Sequence, residues 1–520
     1  MNSPIEMQTN LGIHQKLVTD ALEEMKEQDI VKRIWNHDYT VWKPTPQEIS
    51  NRLGWLTVTN EMEKAVEDIH HFVDKAHQDG YKSILLLGMG GSSLAPELFS
   101  KTFKNVEHKL FDLVVLDSTD PDAILSIENQ MDITKTLFIV ASKSGGTVET
   151  LSLFKYFYNK VLKFKDKEQA GKQFIGITDP GSKLIDLANR FNFRKVFLNN
   201  PNIGGRYSVL SFFGLVPAAF VGVDLKKLLK SANLLSTLCK SENPLENNPA
   251  ALLGAMMGEL SKIGKDKLTL ITDSHLASFG DWVEQLIAES TGKEGKGILP
   301  VVNEPLGSPE VYGNDRLFVF LTLNDQEFQD EIDSLSDHGH PIVKIISKRI
   351  TNLGGLFFLW EFATAISGYR IGINPFDQPN VESAKVLARQ MVSEFQEKGE
   401  LPHLDSLKPS AVRLKSFLSQ AKPGDYVAIQ AYINPTEQAR KSLNKVRLSI
   451  RDQYKLATTL GYGPRFLHST GQLHKGGKGN GLFIQITSTP LQDLPIPDEA
   501  GNAHSSISFG TLKMAQALGD

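Results

Sequence analysis

Thr136-Leu137-Phe138-Ile139-Val140-Ala141 runs straight into Ser142-Lys143-Ser144-Gly145-Gly146-Thr147. The first six residues read as a buried strand. The next six hold hydroxyls, freely oriented backbone N–H groups and one ammonium, just ahead of a helical pattern, which is a combination suited to gripping an anion. Ser83 to Leu87 is a second apolar run, followed by the turn Gly88-Met89-Gly90-Gly91-Ser92-Ser93. Polar turns often end strands for conformational reasons alone. Two of them after parallel-type strands, with helices beyond, favour a small phosphorylated ligand.

The alternation continues outward. Ile84-Leu87, Phe111-Leu116, Leu137-Ala141, Gln173-Thr178 and Lys195-Leu198 are short, apolar and followed by Gly, Ser, Asp or Asn, as in a parallel sheet covered by helices. From Asp266 a second unit begins, with strands expected at Leu268-Thr272, Arg316-Leu321 and Ile342-Ile346 and helices at Gly280 to Glu289 and Leu356 to Ser367. The reading is two α/β sandwiches facing each other, with the ligand in the cleft between them. The expected division is an N-terminal helical segment 1–78, a first unit 79–220, a helical bridge and second unit 221–390, and a C-terminal α/β extension 391–520. In the extension, strands are expected at Tyr426-Gln430 and Gly481-Ile486, with a Lys- and Arg-rich helix from Thr436. The polar loop Leu467 to Gly477 between them is too rich in hydrogen-bonding groups for a simple link.

Composition removes several classes. The chain has 520 residues and a formal net charge of −4, so no strong positive field draws nucleic acid. Its single Cys, Cys239, excludes an internal disulfide framework and suits a reducing compartment. Met1 to Gly12 is polar, unlike a signal peptide, and Phe212 to Val223 is too short to span a membrane. A soluble cytoplasmic protein without a membrane partner is expected. The Ser142 loop lacks the Gly-Lys-Ser/Thr ending of a Walker A motif, and the Gly88 turn lacks the dinucleotide glycine spacing.

Three further stretches carry chemistry. Gly204-Gly205-Arg206-Tyr207-Ser208 places a guanidinium, suited to oxyanions, beside glycines that let backbone approach. Glu289 ends an amphipathic helix and precedes Ser290-Thr291-Gly292-Lys293-Glu294-Gly295-Lys296. Most helix carboxylates are solvated, but one beside cations in a closed cleft can be tuned as a base. Asn374-Pro375-Phe376-Asp377-Gln378-Pro379 is stiffened by its prolines and leads to Lys385 in the next helix.

These stretches, in this order over residues 80 to 390, resemble glucose-6-phosphate isomerase. The resemblance implies two flavodoxin-like sugar isomerase (SIS) domains, a homodimer, no cofactor and no metal, and interconversion of glucose 6-phosphate and fructose 6-phosphate in glycolysis and gluconeogenesis. It implies Glu289 as the base that moves a proton between C2 and C1 through a cis-enediolate, and Arg206 as the stabiliser of the oxyanion. Gly91, Ser92, Ser142, Lys143, Ser144 and Thr147 would line the phosphate pocket. Glu149, Gln378 and Lys385 would contact sugar hydroxyls, with Lys385 also a candidate for proton transfer at the ring oxygen. The tail, Gly424 to Tyr432 and Thr459 to Gly477, resembles a subgroup often fused C-terminal to transaldolase. No (β/α)₈ portion precedes residue 80, so transaldolase activity is not expected of this chain, and a longer parent polypeptide is the open alternative.

One family feature is missing. Typical members carry a ring-opening His after the catalytic Glu helix; here Glu304 to Gly313 holds none. Either Lys385 and water suffice, or the extension supplies His468 or His474. The rival functions are another sugar-phosphate isomerase, for mannose or amino-sugar phosphates, and a non-catalytic sugar-phosphate sensor. His338 and His340 are expected in a loop before a strand, with a structural role.

Overall fold

A computed structural model describes residues 3–104, 109–240, 243–402 and 406–520; the side chains of Ala384 and Lys385 lie outside the described residues. The chain opens not with a helix but with a strand, β1 (Glu6–Asn10), which pairs antiparallel with a strand far along the chain, Ile342–Ile346. The segment 1–78 is therefore not purely helical. Its first residues complete the second unit's sheet, and only then do helices Gln15–Glu27 and Val58–Gln78 follow. Mostly exposed side chains on this edge strand explain why no apolar pattern announced it.

The first sheet is β2 (Ser83–Gly88), β3 (Asp112–Leu116), β4 (Thr136–Ala141), β5 (Phe174–Thr178) and β6 (Lys195–Leu198), all parallel in the order β3-β2-β4-β5-β6. Every β4 side chain is buried, as a central strand covered on both faces requires. Phe138 and Phe174, paired across β4 and β5, stack with centroids 4.9 Å apart. All carboxyl ends of this sheet face one side, so the turns after β2, β3, β4 and β6 converge there.

The second sheet contains β7 (Lys267–Thr272), β8 (Leu299–Val302), β9 (Arg316–Thr322) and β10 (Ile342–Ile346), in the order β1-β10-β9-β7-β8. Pro300 disguised β8, since proline cannot donate to a ladder; the strand lies at the sheet edge, where that costs nothing. The two units share core. One apolar cluster joins the N-terminal helices, a face of each sheet, the bridge helices and the helix Leu353–Ile371, which is buried nearly all round. No helix among the described residues is long and apolar enough to cross a membrane.

The extension has its own parallel sheet, β11 (Tyr426–Tyr432), β12 (Ala457–Tyr462) and β13 (Gly481–Thr487), in the order β12-β11-β13, with the helix Glu437–Tyr454 between β11 and β12. It straddles both units. Tyr426, Ala428, Ala457 and Leu473 pack on Ala288, Leu299 and Val301 of the second. Phe509 and Leu512, of the final helix Phe509–Gly519, pack on the first unit's core, where Phe509 meets Tyr156 edge-on at 5.7 Å. The segment between, residues 465–476, is thereby laid across the junction of the two units.

Candidate active site

The Ser142 loop is tied by its own groups. Ser142 Oγ lies 2.9 Å from Thr147 Oγ1 and accepts from Gly145 N at 3.1 Å, and Ser144 Oγ accepts from Gly146 N at 3.3 Å. Gly145 has φ +68°, and a Cβ there would fall 2.3 Å from Leu184 N, so only glycine lets the loop turn. Thr147 then precedes the helix Val148–Val161, whose first turn adds the partial positive charge that anions prefer. Ser144 and Gly146 are exposed and Thr147 half-buried, leaving the loop open to a ligand. Lys143 is turned away: its ammonium pairs with Asp179 and donates to Pro201 O at 3.1 Å.

The Gly88 turn faces the Arg206 turn backbone to backbone. A Cβ on Gly91 would stand 2.0 Å from Gly205 O, so the two loops reach this contact only because position 91 has no side chain. Ser92 is buried in the short turn Gly90–Ser92, beside this contact.

Arg206 crosses from the first unit to the second. Nε donates to Ser290 Oγ at 3.0 Å, Nη1 to Gln378 Oε1 at 2.9 Å, and Nη2 to the carbonyls of Pro375 and Asp377, both at 3.0 Å. Nη1 also stands 2.8 Å from Glu289 Oε1. A buried guanidinium needs all its donors occupied, and this one is. Lys293 clamps the same loop through Asp377 Oδ1 at 2.8 Å; burial, aided by Arg206, pushes its ammonium down to about 8.

Glu289 sits on the helix Phe279–Thr291 with both oxygens held. Arg206 takes Oε1, and Gln285, one turn earlier, donates to Oε2 at 3.0 Å. Gln285 Nε2 also donates to His468 O at 2.8 Å, joining the carboxylate to the extension. The ring of His468 then turns to the first unit, with Nε2 3.1 Å from Glu149 Oε1. Glu149 also accepts from Gln516 Nε2 at 2.7 Å, so in this structure its partners are protein groups.

The two candidate histidines therefore separate. His468 reaches the junction; His474 does not. The His474 ring stacks on Tyr426 with centroids 5.8 Å apart, its Nδ1 is 2.9 Å from the Tyr426 hydroxyl, and Phe483 meets it edge-on at 5.2 Å. Burial drives this imidazole down to about 3. It sits half-buried against Tyr426 and Phe483 of the extension, away from Glu149, so of the two histidines expected over the cleft only His468 meets the first unit. Lys385 falls in the helix Val381–Lys398, with its side chain outside the described residues. His340 packs edge-on against Phe318 at 5.1 Å, in the loop before β10.

Sequence reasoning missed Gln285, Gln516 and Thr119, whose Oγ1 donates to Gln516 Oε1 at 2.8 Å. The first was within reach: a Gln four residues before a helix glutamate shares its face. Thr119 and Gln516 carry no local signature.

An all-parallel sheet and a mixed one, hydroxyl- and glycine-rich turns at the carboxyl edge of the first, and a carboxylate and guanidinium meeting across the junction form an arrangement suited to a sugar-phosphate isomerase. The comparisons agree. Residues 55–306 match the family described as Phosphoglucose isomerase. The probable glucose-6-phosphate isomerase of Methanococcus maripaludis is 30% identical over 389 residues, covering 67% of this chain and 86% of that protein. The glucose-6-phosphate isomerase of Methanocaldococcus jannaschii is 28% identical over 386 residues, or 65% of this chain and 93% of that one. The crystal structure of a glucose-6-phosphate isomerase from Chlamydia trachomatis superposes with a TM-score of 0.62 at 18% identity, over 81% of this chain and 92% of that chain, a likeness of fold. The chain belongs to the phosphoglucose isomerase family.

Proposed function

We propose that the chain interconverts D-glucose 6-phosphate and D-fructose 6-phosphate by proton transfer through a cis-enediolate. The observation that carries the reading is the Arg206–Glu289 contact at 2.8 Å, made between the two units and close to both glycine turns. A carboxylate removes the C2 proton of the open aldose and returns it to C1, since a cis intermediate presents both carbons to one face. Arg206 meets the oxyanion as charge builds, where electrostatic help lowers the barrier most. Gly91, Ser92, Ser142, Ser144 and Thr147 are the proposed phosphate grip, with Lys143 joining by leaving Asp179. Anchoring the phosphate turns binding energy into orientation of C1 and C2.

Gln378 and Lys385 are assigned to the sugar hydroxyls, with Lys385 also near the ring oxygen. For ring opening the reading favours His468. With hydrogen on Nε2 donated to Glu149, the imidazole presents Nδ1 to the substrate. Residues 79–220 and 221–390 are read as the two SIS domains, and the extension 391–520 as a wall of the site.

Glu289→Gln tests the reading. The variant should lose isomerisation by roughly a thousandfold while still binding a five-carbon sugar-acid phosphate in calorimetry. Full turnover in E289Q would end the proposal. A chain that binds the acid phosphate but turns over only mannose 6-phosphate would be the other isomerase, and one that binds without any turnover would be the sensor.

A further inference from the structure

The final helix contributes a contact that anchoring does not require. Lys513 Nζ already docks it, donating to Asp120 Oδ2 at 2.9 Å and to Ser488 O at 2.8 Å, with both ion-pair side chains fully buried. One turn on, Gln516 reaches past that pair to Glu149. Burying its amide is unfavourable unless both ends are bonded. Both are: Thr119 Oγ1 donates to Gln516 Oε1 at 2.8 Å, and Gln516 Nε2 donates to Glu149 Oε1 at 2.7 Å. The Glu149 carboxylate, which only accepts, requires the NH₂ end of the amide, and the Thr119 hydroxyl bonds the oxygen end and fixes the side chain in place. A reversed amide would point oxygen at oxygen. The same Glu149 Oε1 faces His468 Nε2. Thr119, Gln516 and Glu149 are all buried, so water does not readily substitute for any link.

We infer that Gln516, anchored by Thr119, is a positioning residue for sugar-ring opening: it holds the Glu149 carboxylate so that His468 keeps one tautomer and one ring orientation. The inference rests on the reading of His468 given above. It assigns the chain's last helix a role in one step of the reaction, distinct from the C1–C2 proton transfer assigned to Glu289.

Ring opening and closure exchanges the α and β anomers of the sugar phosphate without breaking the C2–H bond, so two rates separate the two steps. Anomer exchange is measured by two-dimensional exchange NMR on glucose 6-phosphate, and C2–H exchange by loss of the proton signal in D₂O. Gln516→Met keeps the shape and removes both hydrogen-bonding ends. It should slow anomer exchange about tenfold or more, the lower range for losing an orienting partner, with a smaller effect on C2–H exchange. Thr119→Ser, which keeps the hydroxyl, should match the wild type, and Thr119→Val should slow anomer exchange as Q516M does. Unchanged anomer exchange in Q516M would overturn the inference. So would equal losses in both rates matched by an equal loss of folded protein in circular dichroism; equal losses with the fold intact support it, because C2–H exchange draws on the open chain that ring opening supplies. His468→Ala, run alongside, separates the layers: normal anomer exchange there removes the reading of His468 itself. A wild-type chain inactive on glucose 6-phosphate removes the proposed function and this inference together.

Discussion

At the scale of single residues, Arg206 does the most. Its five donors tie a turn after β6 to a loop after the helix Leu353–Ile371 and to Glu289, so orientation and charge come from one planar fork. Lysine has the charge but not the fork. Arg206→Lys should reduce kcat about a hundredfold or more, with a lower melting temperature because the Pro375 and Asp377 carbonyls lose donors. Steady-state kinetics beside thermal unfolding checks it; near-normal kcat would show that the fork is dispensable. Glu289, Arg206 and the Ser142 loop were legible because each is flagged by its immediate neighbours: a lysine- and glycine-rich turn, a glycine pair, a strand end. Gln516 was not. It meets Glu149 across 367 positions of chain and Thr119 across 397, and nothing around it differs from an ordinary helix.

At the scale of elements, parallel strands were read well because full burial leaves continuous apolar runs, as in β4. The strands missed had other reasons to exist. β1 is mostly exposed and held by backbone pairing to β10, and β8 tolerates Pro300 because it is an edge. β12 (Ala457–Tyr462) was not among the expected strands, yet it pairs with β11 from Ala457 to Tyr462. In the short helix Gly471–Gly476, His474 is a neutral ring stacked on Tyr426 of β11. Its folded pKa, about 3, lies below the ordinary imidazole value of 6.5. Stability from this packing is therefore whole above about 6.5 and lost as pH falls toward 3, because the unfolded chain takes up the proton first. Melting curves from pH 7 to pH 4 should show the decline, and His474→Phe should flatten it. An equal decline in both proteins would remove His474 from the account.

At the scale of the whole molecule, the extension touches both units at their junction. Arg465 begins the crossing segment and pins it to the first unit, pairing with Glu97 and standing 3.2 Å from Asp117 Oδ2. Its side chain is 25% exposed against 19% and 12% for the acids, so solvent screens the pairs in part. Arg465→Met should cost roughly 2 kcal/mol, below the range for fully buried pairs, since Asp117 loses its cation and Glu97 is left with Lys101 alone, 2.7 Å away. Denaturant unfolding reads this, and Glu97→Gln in the same chain should recover part of it. Unchanged stability in R465M would mean the extension is held by its apolar contacts alone. Most strands and helices, the anion-friendly turns, and the carboxylate and guanidinium among them are written in local residue patterns, because these depend on side-chain chemistry and spacing over a few residues. That His468 rather than His474 reaches Glu149, and that the final helix touches the same carboxylate, follows from packing over hundreds of positions. Those meetings depend on how three layers pack: the apolar faces of the extension must cover both units at once, and that seating carries His468 to the junction while stacking His474 on Tyr426.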